Sequence, residues 1–503
     1  MKITRKDLLL ALSVFAIISI FVYFTMRATL LYFSHYGGLE KLFALLLIAG
    51  EAFVLMHGLG YVLNILKIFV RGHRAQQAFS LQDEPPVAIL VAARHEPKEV
   101  LENTFLTLGN LRYGNKVIYL LDDSSEEKYA QEAEELAREY NLQLFRRKER
   151  HGAKAGIIND CLKGLRQKYI AIFDADQNPL PDFLNAVIPI LEHNEKLSFV
   201  QTPQFYTNIE SGRVARASAF QQAVFYEYIC EGKSSDGSMF CCGTNVVFRA
   251  EALKEVGGLD ESTVTEDFAT SVKLITHGWQ SLYFNHVHAF GMGPANLAGY
   301  FKQQFRWATG TVSVLKKIIW QFIRRPFSMK PVQWWEYFLS SSYYLVGLAF
   351  FFLMLCPVIY LLYRIPSFFA KKEVYLLAFL PYIILSLSVF YMVLKERNYK
   401  PKDLFLGQLL GFITFSVYLR AALTGILGIK TGFGVTEKTK GKAISYFRLW
   451  PQIGMMFLNF VAVVWGLNRF VYEREPAILI NGIWAMYHFA LLSSIFFFNE
   501  ETR

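Results

Sequence analysis

Acidic residues stand at three separated places in this sequence: Asp122-Asp123, Asp174-Ala175-Asp176 and Glu266-Asp267. Two aspartates one residue apart offer hard oxygen donors of the kind Mg²⁺ or Mn²⁺ takes, and such a cation neutralises a diphosphate. Lys154, in His151-Gly152-Ala153-Lys154-Ala155-Gly156, offers a counter-charge for phosphates. Gln303, Arg306 and Trp307 fall at i, i+3 and i+4, so one helix face presents an amide, a fixed positive charge and a flat ring. Each has a bland alternative. Asp-x-Asp is a common solvated turn, Asp122-Asp123 fits a helix N-cap, Lys154 fits a helix surface, and Asp267 fits a capping carboxylate before Phe268–Thr276. His286 and His288 have no third ligand in view, and the five cysteines show no metal-ligand spacing. The ordered set is what carries information.

The elements that must position these residues read as alternating strands and helices. Val87–Ala93 is a continuous apolar run of strand length, followed by helical sequence over 98–109 and a second strand over Val117–Leu121. Then come a charged helix near 125–140, a short strand at 142–146, a helix at 153–167 and a strand over Tyr169–Phe173. This alternation predicts an α/β domain with a mostly parallel sheet covered on both faces. Ligands of such sheets bind beyond the carboxyl ends of the strands. There the sequence places Arg94-His95-Glu96-Pro97, Asp122-Asp123 and Asp174-Ala175-Asp176. No GxGxxG or P-loop pattern is present, which excludes those two nucleotide sites.

Composition sets the surroundings. Of 503 residues, 53% are hydrophobic and only 19% charged. Apolar runs of spanning length cover about 8–33, 42–70, 333–363, 374–395, 403–428, 447–469 and 476–498, leaving 71–330 much more polar. The net charge of +10 sits at the ends of these runs, which fits a membrane surface and argues against a nucleic-acid partner. It predicts a multi-pass plasma-membrane protein with both termini and the central domain cytoplasmic. Segment 403–428 would begin and end inside and contains Arg420, so it is expected to be interfacial or re-entrant, leaving six spans. Residues 1–33 are too long an apolar run, with no cleavage site, for a signal peptide. Glu51, Glu336 and Arg420 either line a channel or, as for Glu51, form buried pairs.

The set Asp123, Lys154, Asp174-x-Asp176, Thr265-Glu266-Asp267 and Gln303-x-x-Arg306-Trp307 resembles the processive family-2 glycosyltransferases. Gln201-Thr202-Pro203-Gln204 and Cys242-Gly243-Thr244-Asn245 match as well. Phe433-Gly434-Val435-Thr436-Glu437-Lys438 resembles the gating loop of the cellulose synthase family, although Thr439-Lys440 here separate Lys438 from Gly441 where the family often has Lys-Gly directly.

This resemblance implies a GT-A-like cytosolic domain inserted between bundles of transmembrane helices. The expected layout is two spans in 1–70, the transferase domain in 71–295, amphipathic interfacial helices in 296–330, and two spans in 331–400. An interfacial helix and gating loop follow in 401–445, then two spans in 446–503. The implied activity is elongation of a β-glucan from UDP-glucose, with Mg²⁺ or Mn²⁺ as cofactor and the growing polymer and bilayer as partners. Another polysaccharide or a lipid-linked transfer are the rivals; accessory subunits and oligomeric state stay open.

By the same resemblance Asp267 is the general base, with Thr265 and Glu266 beside it. Asp176 holds the metal with Asp174 in support. Glu96 and Asp123 receive the nucleoside, Lys154, Gln303 and Arg306 the diphosphate. Trp307 and Cys242, Gly243, Thr244 and Asn245 meet the acceptor. Phe433, Val435, Thr436 and Lys438 close over the donor. Only five residues follow Phe498, so no cyclic-dinucleotide-binding barrel is expected, and gating is expected to answer to substrate alone.

Overall fold

The structure is a computed structural model that describes residues 4–35, 37–71, 81, 83–367, 371–429 and 443–500. Two long helices, α1 (Arg5–Phe33) and α2 (Gly38–Arg71), precede the polar domain. Its first half runs β1 (Val87–Ala93), α3 (Lys98–Gly109), β2 (Lys116–Asp122), α4 (Glu127–Glu139), β3 (Gln143–Phe145), α5 (Ala153–Leu162) and β4 (Tyr169–Asp174). Next come β5 (Asn178–Pro179), α6 (Phe183–His193), β6 (Leu197–Gln201), β7 (Phe205–Tyr206), α7 (Arg213–Val224), a π-helical turn over Phe225–Cys230 and α8 (Glu231–Ser235). The domain closes with β8 (Val246–Arg249), α9 (Ala250–Glu255), α10 (Glu266–Thr276), β9 (Gln280–Tyr283) and β10 (Ala289–Gly291).

The main sheet has seven strands in the order β3-β2-β1-β4-β8-β6-β9, and β5, β10 and β7 form a smaller one. β8 runs antiparallel to both its neighbours, while the other pairs of the main sheet are parallel. Alternate residues of β1 explain its unbroken apolar run. Val87, Ile89 and Val91 pack towards Leu101 and Phe105 of α3 and Val187 of α6. Ala88 and Leu90 pack towards Ile157 and Ile158 of α5 and Leu253 of α9. Both faces are buried, so neither can carry polar residues.

The long amphipathic α11 (Leu297–Arg324) leads from the domain to α12 (Pro331–Ser342), α13 (Val346–Tyr363) and α14 (Lys372–Glu396). α15 (Pro401–Ile413), α16 (Phe415–Leu427), α17 (Trp450–Glu473) and α18 (Pro476–Phe498) complete the chain. Six helical stretches among the described residues are long and apolar enough to cross a membrane. α15 and α16 together meet the same test but bend by 51° at their junction, so the expected single helix over 403–428 is two. The bend falls at Thr414, whose hydroxyl donates back to Leu410 O at 2.6 Å, a bond that competes with regular helix geometry.

Polar contacts tie the domain to the helices. Glu336 of α12 is buried and accepts from Lys67 Nζ of α2 and Lys233 Nζ of α8, each at 2.7 Å. Lys67 also meets Asp236 at 2.7 Å. Glu51 is a paired group, accepting from Arg27 Nε at 2.6 Å and Tyr23 Oη at 2.8 Å. Arg420 lies over the Phe305 ring at 5.0 Å.

Candidate active site

The carboxyl ends of β1, β2 and β4 lie along one edge of the main sheet, as their parallel pairing dictates. At the end of β4, Lys154 Nζ bonds Asp174 Oδ1 and donates to Gly243 O at 2.7 Å. The backbone N–H of Asp174 donates to the Thr244 hydroxyl at 2.8 Å. Burial works against the Lys154 charge, yet Asp174, Glu266 and Asp267 outweigh it and hold its pKa above the usual lysine value. Asp176, two residues on, is buried.

Asp267 enters from the first turn of α10, its Oδ1 accepting from the Phe268 N–H at 2.7 Å. Burial first, and the neighbouring Glu266 charge second, push its carboxyl up to about 7. Glu266 is raised by burial too, with Lys154 and Arg306 working the other way. Gly243, at φ +85°, faces Asp267 so closely that a Cβ would lie 2.9 Å from Oδ2. Only glycine meets both demands at 243.

α11 brings Gln303, Arg306 and Trp307 to this place through a close contact one turn further on. A Cβ on Gly310 would lie 2.5 Å from Thr265 Cγ2, so the helix axis approaches the Thr265-Glu266-Asp267 turn directly. On its opposite side α11 meets α16 at Gly425, where a Cβ would lie 2.8 Å from Thr309 O. Trp307 is half-buried. Nearby Gln304 accepts from Tyr418 Oη of α16 at 3.0 Å, and the Tyr344 ring packs against that of Tyr418 at a tilt of 57° with centroids 5.3 Å apart.

The remaining expected residues fall as follows. Asp123 lies at the end of β2, where Arg147 and Arg150 pair with it at 2.8 and 3.0 Å. Glu96 stands after β1, beside His95, whose Nε2 accepts from the Ser125 N–H at 3.0 Å. Cys242, Gly243, Thr244 and Asn245 form one loop held from below. Gln201 Oε1 accepts from Cys242 N at 2.8 Å, and Asn245 Nδ2 donates to Gln177 Oε1 at 2.9 Å. The loop therefore touches the Asp174 end of β4 as well as Asp267. Phe433, Val435, Thr436 and Lys438 lie outside the described residues.

No cluster of three or more His, Cys, Asp or Glu side chains arranged for a metal occurs among the described residues. Asp174 and Asp176 supply two hard donors. That fits a Mg²⁺ or Mn²⁺ that takes the rest of its shell from a bound diphosphate and water.

Two contributors were not singled out from sequence. Arg147 braces Asp123, as above. Tyr206 of β7, buried, receives a hydrogen bond from Gln222 Nε2 at 2.7 Å and lies near Gln303, Asp174 and Asp176. Lone arginines and tyrosines carry no local signal; only the Gln-Thr-Pro-Gln stretch just before Tyr206 pointed to this edge of the cleft.

A mostly parallel sheet with an acidic cleft at its strand ends, set among apolar helices, is a GT-A-type glycosyltransferase fold. Residues 85–310 match the family described as glycosyltransferase like family 2, and residues 250–498 match that described as cellulose synthase. Together the two models cover residues 85–498, and over that length the chain resembles the family-2 glycosyltransferases. It is 28% identical over 441 residues to a cellulose synthase catalytic subunit [UDP-forming] of Xanthomonas axonopodis pv. citri, covering 83% of this chain and 58% of that one. It is 29% identical over 272 residues to glucomannan 4-beta-mannosyltransferase 7 of Arabidopsis thaliana, covering 52% and 48%. The chain thus spans about half the length of these curated relatives. Among solved structures, a mannosyltransferase from Pyrobaculum calidifontis in complex with GDP-Man and Mn²⁺ superposes with a TM-score of 0.54 at 16% identity. That match covers 76% of this chain and 100% of the other, and it shows the fold.

Proposed function

We propose that this chain is a membrane-embedded, processive, inverting glycosyltransferase that elongates a β-glucan from UDP-glucose and passes it across the membrane. The observation that carries the reading is the meeting of three elements at one cleft. These are Lys154 with Asp174 at the end of β4, Asp267 at the start of α10, and α11 seated on Thr265 through Gly310.

The acceptor hydroxyl attacks the anomeric carbon of the donor, and the bond to the diphosphate breaks with its electron pair. The hydroxyl proton passes to Asp267, whose pKa near 7 suits a base at neutral pH. Lys154 and Arg306 offset the charge that builds on the departing diphosphate. A divalent cation held at Asp174 and Asp176 would add Lewis-acid stabilisation of that leaving group. Trp307, one residue on from Arg306 along α11, would hold the acceptor ring in line. Attack opposite an α-linked leaving group yields a β-glycoside in one displacement, without a protein nucleophile. The helices behind Trp307, with Tyr418 and Tyr344, offer the product its way out; the domain and both termini then lie on the donor side, the cytoplasm.

The test is to supply radiolabelled UDP-glucose to the purified protein in lipid. A polymer cut by β-1,4- or mixed-linkage glucanases is expected. A small lipid-soluble product, or no glycosidic bond from any sugar nucleotide, would overturn the proposal. Likeness to a plant glucomannan mannosyltransferase favours one second reading, a β-mannan made from GDP-mannose. Polymer from GDP-mannose alone, cut by mannanase, would select it.

A further inference from the structure

Asp123 follows β2 and Lys154 lies in the first turn of α5, and a single side chain reaches both places. Arg147 is almost fully buried, at 5% side-chain exposure, with Asp123 at 9%. Its Nε donates to Asp123 Oδ1 at 2.9 Å and its Nη2 to Oδ2 at 2.8 Å, a two-pronged contact on one carboxylate. Nη2 also donates to Ala153 O at 3.2 Å, and Nη1 donates to His151 O. One guanidinium therefore satisfies four acceptors on two elements.

The loop it grips needs such a grip. Gly152 has φ +56° and Ala153 φ +46°. A residue other than glycine stays in that region only where its surroundings hold it there. The residue that follows is Lys154, whose ammonium reaches Asp174 and Gly243. Room for this contact comes from Gly156, where a Cβ would lie 2.1 Å from His151 O and 2.6 Å from Arg147 Nη1, the two partners of one hydrogen bond. Arg150, more exposed, adds an outer contact to Asp123 Oδ2 at 3.0 Å.

We infer that Arg147 is a positioning residue of the donor site. It sets the distance between the carboxylate that meets the nucleoside and the lysine that meets the diphosphate, so nucleotide binding depends on it although it touches no nucleotide. The inference rests on reading this cleft as a nucleoside-diphosphate-sugar site. Lysine cannot replace it, because one ammonium cannot form the fork and hold the loop together.

The experiment is calorimetric titration of UDP, with GDP in parallel, into the full-length purified protein with Mn²⁺. Donor KM, kcat and melting temperature are measured on the same samples. For Arg147→Lys the Kd and donor KM should both rise about tenfold, the loss expected for one charge-assisted fork. The kcat at saturating donor should fall less than the Kd rises, because Lys154 keeps its own bonds to Asp174 and Gly243. Gly156→Ala keeps every charge yet crowds both His151 O and the guanidinium that donates to it, and it should give the same split. Nucleotide affinity within twofold of wild type in either folded variant would overturn the inference. So would a lower melting temperature with unchanged KM, which is what a purely structural arginine predicts. Failure of the wild type to bind either nucleotide would instead overturn the donor-site reading beneath it.

Discussion

Gly310 of α11 rests on Thr265, the residue that caps α10, with no room between them for a methyl group. This contact decides how far the Trp307 face stands from Asp267. Gly310→Ala should push the helices apart at a cost of about 1–3 kcal/mol, the usual range for overpacking. UDP affinity should hold while the rate of transfer falls at least tenfold. A variant that melts lower but synthesises at the wild-type rate would separate this contact from catalysis.

Asp267→Asn should lower the rate by about 10²–10⁴, the usual loss for a general base, with UDP affinity within a few-fold. The wild-type rate should rise with pH through about 7, since the base works only when ionised and its carboxyl is raised to about 7 by burial and by Glu266. A rate independent of pH between about 6 and 8 would contradict the assignment.

Asp176→Ala should abolish metal-dependent UDP binding and synthesis together, and EDTA should reproduce this in the wild type. Full activity in excess EDTA would exclude Asp174 and Asp176 as metal ligands.

If Trp307 holds the acceptor as proposed, Trp307→Ala should stop elongation far more than it weakens UDP binding. Product length and UDP affinity, measured on one preparation, check this. Normal polymer with weak UDP binding would move Trp307 to the donor side.

Glu336→Ala leaves Lys67 and Lys233 without their shared carboxylate, and loss of one partner from a buried pair costs about 3–5 kcal/mol. A clear fall in melting temperature is expected. Wild-type stability would show that water reaches these lysines.

Much of the layout was legible because local signals coincided with tertiary need. β1 is apolar throughout since both its faces are covered, and the acidic residues mark the strand ends. β8 was not legible: Val246-Val247-Phe248 says strand but nothing of direction, and its antiparallel place between β4 and β6 depends on partners far along the chain. The break at Thr414 was hidden for a similar reason, since a threonine interrupts a helix only when its hydroxyl turns back on the chain. Glu51 left two readings open from sequence, and its bonds to Tyr23 and Arg27 decide for the paired one. Arg147 stayed unseen because its importance lies in four acceptors that no spacing rule brings together.

With Glu336 held between Lys67 and Lys233, α2, α8 and α12 share one chassis. Pulling a buried ammonium off its carboxylate is costly on the thermal scale, so wholesale rocking of the transferase domain against the bundle is disfavoured. On the proposed function, a product would then advance by a short stroke, a slip of one sugar length that leaves the frame still.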